Sequence, residues 1–140
     1  MLARDDLERV EKRHVHFNLG VIYHRKGDMD NALTQWKDAA LLPIGEDETV
    51  LDAQEMELSA ASLMNLGAHF VLSNDAEKGL GYLQAAADID PDDGEIRYNL
   101  AATLASLGKH EVAIQEFQAA QERGIETARE AIEQLQKIKD

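Results

Sequence analysis

Residues Gly94 to Thr127 read GEIRYNLAATLASLGKHEVAIQEFQAAQERGIET, and this 34-residue run constrains the fold more than any other stretch. Its first half carries Ile96, Leu100, Leu104 and Leu107 at helical spacing, with Ala101 beside Leu100. Gly108 and Lys109 interrupt the pattern, because glycine can end a helix by entering the left-handed region at little steric cost. The second half resumes with Val112, Ala113, Ile114, Phe117 and Ala120. Two short amphipathic helices joined by so tight a turn lie antiparallel, each with an apolar stripe it cannot bury alone. Such a hairpin needs neighbours, and the chain supplies them. Ala60 to Asp93 is a second copy: Leu66-Gly67 stands for Leu100-Ala101, Phe70 for Leu104, Gly79 for Ala113, Leu83 for Phe117 and Ala86 for Ala120. Arg13 to Glu46 is a third, with Leu19-Gly20, Tyr23, Gly27, Ala32, Trp36 and Ala39 in the same frame.

Leu-Gly, an aromatic, Ala, a second aromatic, Ala and a closing Pro at a period of 34 resembles the tetratricopeptide repeat (TPR). The departures are His16 and Arg97 at the large-residue position near the start of a repeat, and Ile125 at the closing Pro; Pro43 comes one residue early, while Pro91 is on register. The resemblance implies an all-α fold, a right-handed TPR solenoid of three helix-turn-helix repeats, at about 13–46, 60–93 and 94–127, in a single domain over 1–140. A C-terminal helix at about 126–139 places Ala128, Ile132 and Leu135 on one face and charges on the other, which suits a cap closing the end of a repeat array.

Composition agrees with an all-α chain: alanine and leucine are abundant and there are two prolines. Without cysteine there is no disulfide frame and no thiolate site. The opening MLARDDLERVEKR is charged where a secretory leader needs an apolar core, and no apolar run approaches the ~18 residues of a membrane span. A cytoplasmic chain with no membrane span is therefore expected. Its net charge of −13 is unevenly placed. Residues 1–40 hold seven acids and seven bases, whereas 41–100 hold thirteen acids against Lys78 and Arg97 alone. So acidic a segment repels phosphate backbones, which argues against nucleic acid, and attracts basic peptides.

Along the chain, the first helix is expected from Asp5 or Asp6 to about Lys26, starting two turns before its repeat (5–12). Asp47 to Ser59 separates the first two repeats. Thr49 reads as a cap followed by an unbroken helical stretch, so 49–59 extends the third helix. The two overhangs are expected to pack side by side, Leu7 and Val10 against Leu51 and Leu58. Asn74 occupies the turn position held elsewhere by Gly27 and Gly108, and asparagine is the next most tolerant of positive φ.

No residue pattern points to catalysis. His14 and His16 are two apart and fall on different helix faces, and no HExxH pair exists. Asp88, Asp90, Asp92, Asp93 and Gly94 imitate a calcium loop, but the glycine falls seventh, Pro91 intrudes and Asn99 replaces the bidentate glutamate. There is no Gly-rich phosphate loop and no nucleophile elbow. A non-enzymatic chain with no metal and no cofactor is expected.

What the pattern does offer is an asparagine ladder. Asn18, Asn65 and Asn99 hold the sixth position of all three repeats. The resemblance implies that this first-helix position faces a concave groove, where an amide, both donor and acceptor, can grip the backbone of a bound peptide. Around it would lie Phe17, Met64 and Tyr98 at the fifth position, and Val21, Ala68 and Ala102 at the ninth, with His24 and Arg25 farther along. TPR domains that grip a terminal carboxylate do so with Lys, Asn and Arg at set positions; here those positions hold Phe17, Val21, Glu95 and Asn99, with only Asn65 agreeing, so that clamp is not expected. The expected function is protein–protein interaction, an adaptor or scaffold holding a peptide or helical segment in the groove, with a basic ligand favoured by the acidic segment. Two alternatives stand beside it: a dedicated chaperone similar to the three-repeat chaperones of type III secretion, shielding an apolar substrate, and self-association into a homo-oligomer through an open repeat face.

Overall fold

The computed structural model describes residues 4–45 and 50–139, the side chains of 50–52 and 139 excepted. Seven α-helices and no strand occur among the described residues: α1 (Arg4–Arg25), α2 (Met29–Leu41), α3 (Val50–Leu72), α4 (Ala76–Ile89), α5 (Gly94–Ser106), α6 (His110–Glu122) and α7 (Thr127–Lys139). The helix starts follow from local chemistry. Asp28 accepts the Asn31 N–H at 3.3 Å, Asp75 the Lys78 N–H at 3.3 Å, and Asp93 the N–H groups of Glu95 and Ile96 at 2.9 and 3.1 Å. Each such cap is worth about 1 kcal/mol. Thr49, the expected cap of α3, lies outside the described residues.

Four helices stop in the same way. The residue that takes positive φ is Gly27, Asn74, Gly108 or Gly124. The N–H after it reaches back to Tyr23, Phe70, Leu104 or Ala120 at 2.8–3.1 Å. This bond spans the last turn and satisfies a carbonyl the helix leaves over. Asn74, at φ 65°, does the work of a glycine, as its place in the repeat predicts.

Contacts divide the chain into two compact units, 1–66 and 67–140, with the boundary inside α3. In the first, α1 packs along α2. Gly20 is buried where an added Cβ would collide with the indole of Trp36. Val10, Ala32, Ala39, Ala60 and Leu66 complete the apolar part, but Arg13, Glu55, Ser59 and Ser62 are also fully or almost fully buried. Arg13 donates to the carbonyl oxygens of Ala39, Leu42 and Pro43, tying α1 to the end of α2. Glu55 takes two hydrogen bonds from Arg9, at 2.6 and 2.9 Å, and one from the Gly45 N–H at 3.0 Å.

The extended starts of α1 and α3 therefore meet, and of the apolar residues expected between them Val10 is buried and Leu58 half-buried, while Leu7 is not. Leu7 is 43% exposed and Leu51 falls outside the described side chains, while Arg9–Glu55 carries the described link. The reason is in the helix wheel. Arg9 and Arg13, four residues apart on one face, turn that face toward Glu55 and carry Leu7 outward.

In the second unit, α4 packs on α5, α5 on α6 and α6 on α7. Leu83, Ile96, Leu100, Leu104, Phe117 and the small Ala86, Ala101, Ala113 and Ala120 are buried. Gly67 and Gly79 approach so closely that a Cβ on Gly67 would stand 2.7 Å from Leu83 and one on Gly79 2.7 Å from the Gly67 carbonyl. Ala128, Ile132 and Leu135 of α7 are buried, and its exposed positions are polar or charged apart from Ile138, which is 67% exposed.

Candidate functional site

The ladder residues sit on first helices, as the repeat register requires. In the first unit Asn18 is exposed on α1, Phe17 and Val21 are half-buried beside it, and His24 and Arg25 are exposed one to two turns on. Met64 and Asn65 are half-buried on α3. In the second unit Ala68 is half-buried on α3, Tyr98 and Asn99 are half-buried on α5, and Ala102 is exposed. None of the three amides makes a hydrogen bond to another described side chain or backbone group, so each has both its donor and acceptor edges to offer.

Two of the aromatic neighbours are held from behind. The Tyr98 ring meets Phe117 edge-on at 5.2 Å, and the His24 ring lies 5.6 Å from Trp36 at a tilt of 43°. Both contacts cross from the first helix of a repeat to the second, so the core aromatic of each hairpin fixes the orientation of a ring on the first-helix face. Rings so fixed lose little rotamer freedom on binding.

The acidic segment is less available than its charge suggests. Glu55 is buried; burial alone would raise its pKa, but hydrogen bonds from Arg9 and the Gly45 N–H prevail and hold it below the ordinary glutamate value. Asp75 and Asp93 cap helices, and Asp92 reaches Arg123 at 3.4 Å. Glu57, Glu77 and Glu95 remain exposed. Asp92 and Asp93, read in sequence against a calcium loop, thus have structural partners, and no group of three or more candidate metal ligands occurs among the described residues. No described helix is long and apolar enough to cross a membrane.

Two features escaped the sequence reading. The two polar residues that break the repeat pattern each find a partner 19 positions on: His16 Nδ1 lies 2.7 Å from Gln35 Oε1, and Arg97 donates to Glu116 at 3.0 Å. The signal was present, since Gln35 and Glu116 share one register, but it needs the two helices to be aligned. The second is an open cleft of about 630 Å³ against α1, lined by Glu8, Glu11, Lys12, Val15, His16 and Leu42. Beside it Leu7, Val15 and Ile22 are 43, 54 and 45% exposed.

The tetratricopeptide-repeat family profile matches residues 1–48 and 73–128, well over half of the chain. The chain belongs to the tetratricopeptide-repeat family. Solved structures carry the same fold. The C-terminal TPR-containing domain of a putative FK506-binding protein of Plasmodium falciparum is 19% identical, with a TM-score of 0.77 over 96% of this chain and 93% of that one. PcrH from Pseudomonas aeruginosa is 19% identical, with a TM-score of 0.59 over 97% and 96%. The MamA protein is 18% identical, with a TM-score of 0.54 over 89% and 81%. At these identities the TPR likeness establishes an all-α helical-repeat fold and no more. No curated protein sequence matches the chain.

Proposed function

We propose that this TPR chain is a non-enzymatic interaction module that takes an extended peptide or a helical segment of another protein along the first-helix faces of its repeats. The observation that carries this reading is the set of amides at one repeat position, Asn18, Asn65 and Asn99, with no hydrogen-bond partner among the described residues. A side-chain amide in that state hydrogen-bonds backbone without demanding a particular sequence. Phe17, Met64 and Tyr98 supply contact area, Val21, Ala68 and Ala102 allow close approach, and His24 and Arg25 border the end of α1. The exposed Glu57, Glu77 and Glu95 favour a basic ligand through steering, an effect that weakens with salt.

The test begins with peptides selected from a display library on the wild-type chain. Their affinity is then measured for wild type and for the variant carrying Asn18→Ala, Asn65→Ala and Asn99→Ala together. Each lost backbone hydrogen bond costs about 1 kcal/mol, so the triple variant should bind roughly a hundredfold more weakly at an unchanged melting temperature. Equal affinity would remove the amides from the interface.

A further inference from the structure

On the first helix of each repeat the second position stands one turn before the fifth, and the three repeats fill this pair differently: His14 with Phe17, Ala61 with Met64, Glu95 with Tyr98. Residues three or four apart on a helix are surface neighbours, and the ladder asparagine lies four places after the second position. Only the third repeat therefore sets a carboxylate beside both an aromatic ring and an amide.

No contact in the second unit uses up these groups. Glu95 is exposed and makes no ion pair among the described residues. Arg97, the base nearest to it in sequence, is committed elsewhere: its guanidinium donates to Glu116 at 3.0 Å and to the Pro91 carbonyl at 3.1 Å. The half-buried Tyr98 ring is held in place by its edge-on contact with Phe117. The surrounding charge is negative. Asp88, Asp90, Asp92, Asp93, Glu95 and Glu116 face only Arg97 and Arg123, and those two pair with Glu116 and Asp92. The roughly half positive charge at the start of α5 does not offset that excess.

We propose that Glu95 and Tyr98 together read one arginine of the peptide whose backbone Asn99 holds. A guanidinium lies flat on an aromatic ring and offers a carboxylate a fork of N–H donors, so it can satisfy both neighbours at once. An ammonium is a point charge without that planar match. At the same register His14 offers Phe17 no negative charge, and Ala61 offers Met64 none. Exposed Glu57 and Glu77 have no aromatic residue three or four places on. The arginine thus has one place to go, which fixes the register of the peptide along the first helices. This rests on the proposed function and sharpens it, turning a general preference for basic ligands into one residue read at one repeat.

Peptides selected from the display library on the wild-type chain should share an arginine at one position. Changing that arginine to citrulline, which keeps its shape and removes its charge, should weaken binding to wild type about fivefold, and lysine should recover part of the loss. On Glu95→Gln the arginine and citrulline peptides should bind alike, so that a double-mutant cycle assigns the loss to this pair. On Glu57→Gln and Glu77→Gln the difference should persist. Tyr98→Leu should lower the affinity for the arginine peptide about threefold. Glu95→Lys should prefer the peptide with glutamate in place of arginine, a reversal that a role in stabilising α5 alone would not produce. Selected peptides without a shared arginine overturn the proposal, and so does a citrulline penalty on Glu95→Gln equal to that on wild type. Either result, with the triple asparagine variant still binding weakly, leaves the proposed function standing. An unaffected triple variant removes the amides whatever happens at Glu95, and a library that yields no binder overturns both.

Discussion

α1 and α2 meet with Gly20 beneath Trp36 and with His16 bonded to Gln35, whereas α5 and α6 meet with Ala101 in the register of Gly20, Phe117 in that of Trp36, and Arg97 paired with Glu116. The indole is the larger ring, and the position facing it has given up its Cβ; the phenyl ring leaves room for one. At the position where a large apolar residue would serve, each hairpin has instead a polar side chain with a partner across the turn. A repeat position is thus set jointly with the residue 19 places on, and a polar departure from the pattern is tolerated when its partner changes with it. Around these hairpins the two units differ more sharply. The first buries Arg13, Glu55, Ser59 and Ser62, while the buried side chains of the second are almost entirely apolar, with Thr103 the described exception.

That contrast is tested most strongly at Glu55. Replacing it with Ala leaves half-buried Arg9 with Asp6 alone and buried Arg13 without a nearby compensating charge, and breaking a buried pair in this way costs about 3–5 kcal/mol. Urea unfolding should show that loss, and hydrogen exchange should place it in residues 4–66. Exchange that rises uniformly through α4 to α7 would mean that the ionic cluster supports the whole chain and that the contrast between the units is false. Acid should separate them too. Glu55 has its pKa depressed in the folded state, so its stabilising contribution is complete above the unfolded value of about 4.3 and is lost as pH falls through the folded one. Glu55→Gln should flatten the stability curve below that pH, and a curve of unchanged slope would assign the acid sensitivity elsewhere.

Gly20→Ala comes next. The collision with Trp36 should cost about 1–3 kcal/mol as overpacking, and Trp36→Phe in the same chain should recover most of it. Ala101→Gly, the reverse change in the other hairpin, should cost about 1 kcal/mol from helix propensity and lost packing. Equal costs in both would show that ring size does not set the small-residue position. The smallest effect is expected at Arg97 and Glu116. Their side chains are 19 and 21% exposed, so a double-mutant cycle should give a coupling near the upper end of the ~0.2–1 kcal/mol found for surface pairs. A coupling of zero would make the 19-residue pairing incidental.

Much of this arrangement was legible in the residues. The helices, their order and the stops at Gly27, Asn74, Gly108 and Gly124 follow from a 34-residue period and from the few residues that accept positive φ. The first-helix position of Asn18, Asn65 and Asn99 follows from the same period. What periodicity could not give was the company kept by charged residues. Arg9 and Arg13 read as solvent-facing until Glu55, 46 and 42 positions away, is placed beside them, and Leu7 reads as core until those arginines turn it outward. The acidity of residues 41–100 was legible as a sum, but its division between helix caps, a buried pair and open surface depends on contacts that a composition does not contain.

The amide ladder can be observed directly. In a ¹⁵N-labelled sample the side-chain NH₂ groups of Asn18, Asn65 and Asn99 give their own resonances, and titration with a selected peptide should shift these three together with the backbone amides of Phe17, Val21, Tyr98 and Ala102. Asn31 and Gln118, exposed on second helices, should stay unmoved. Shifts confined to α2, α4 and α6, with the three ladder amides unchanged, would contradict binding along the first helices.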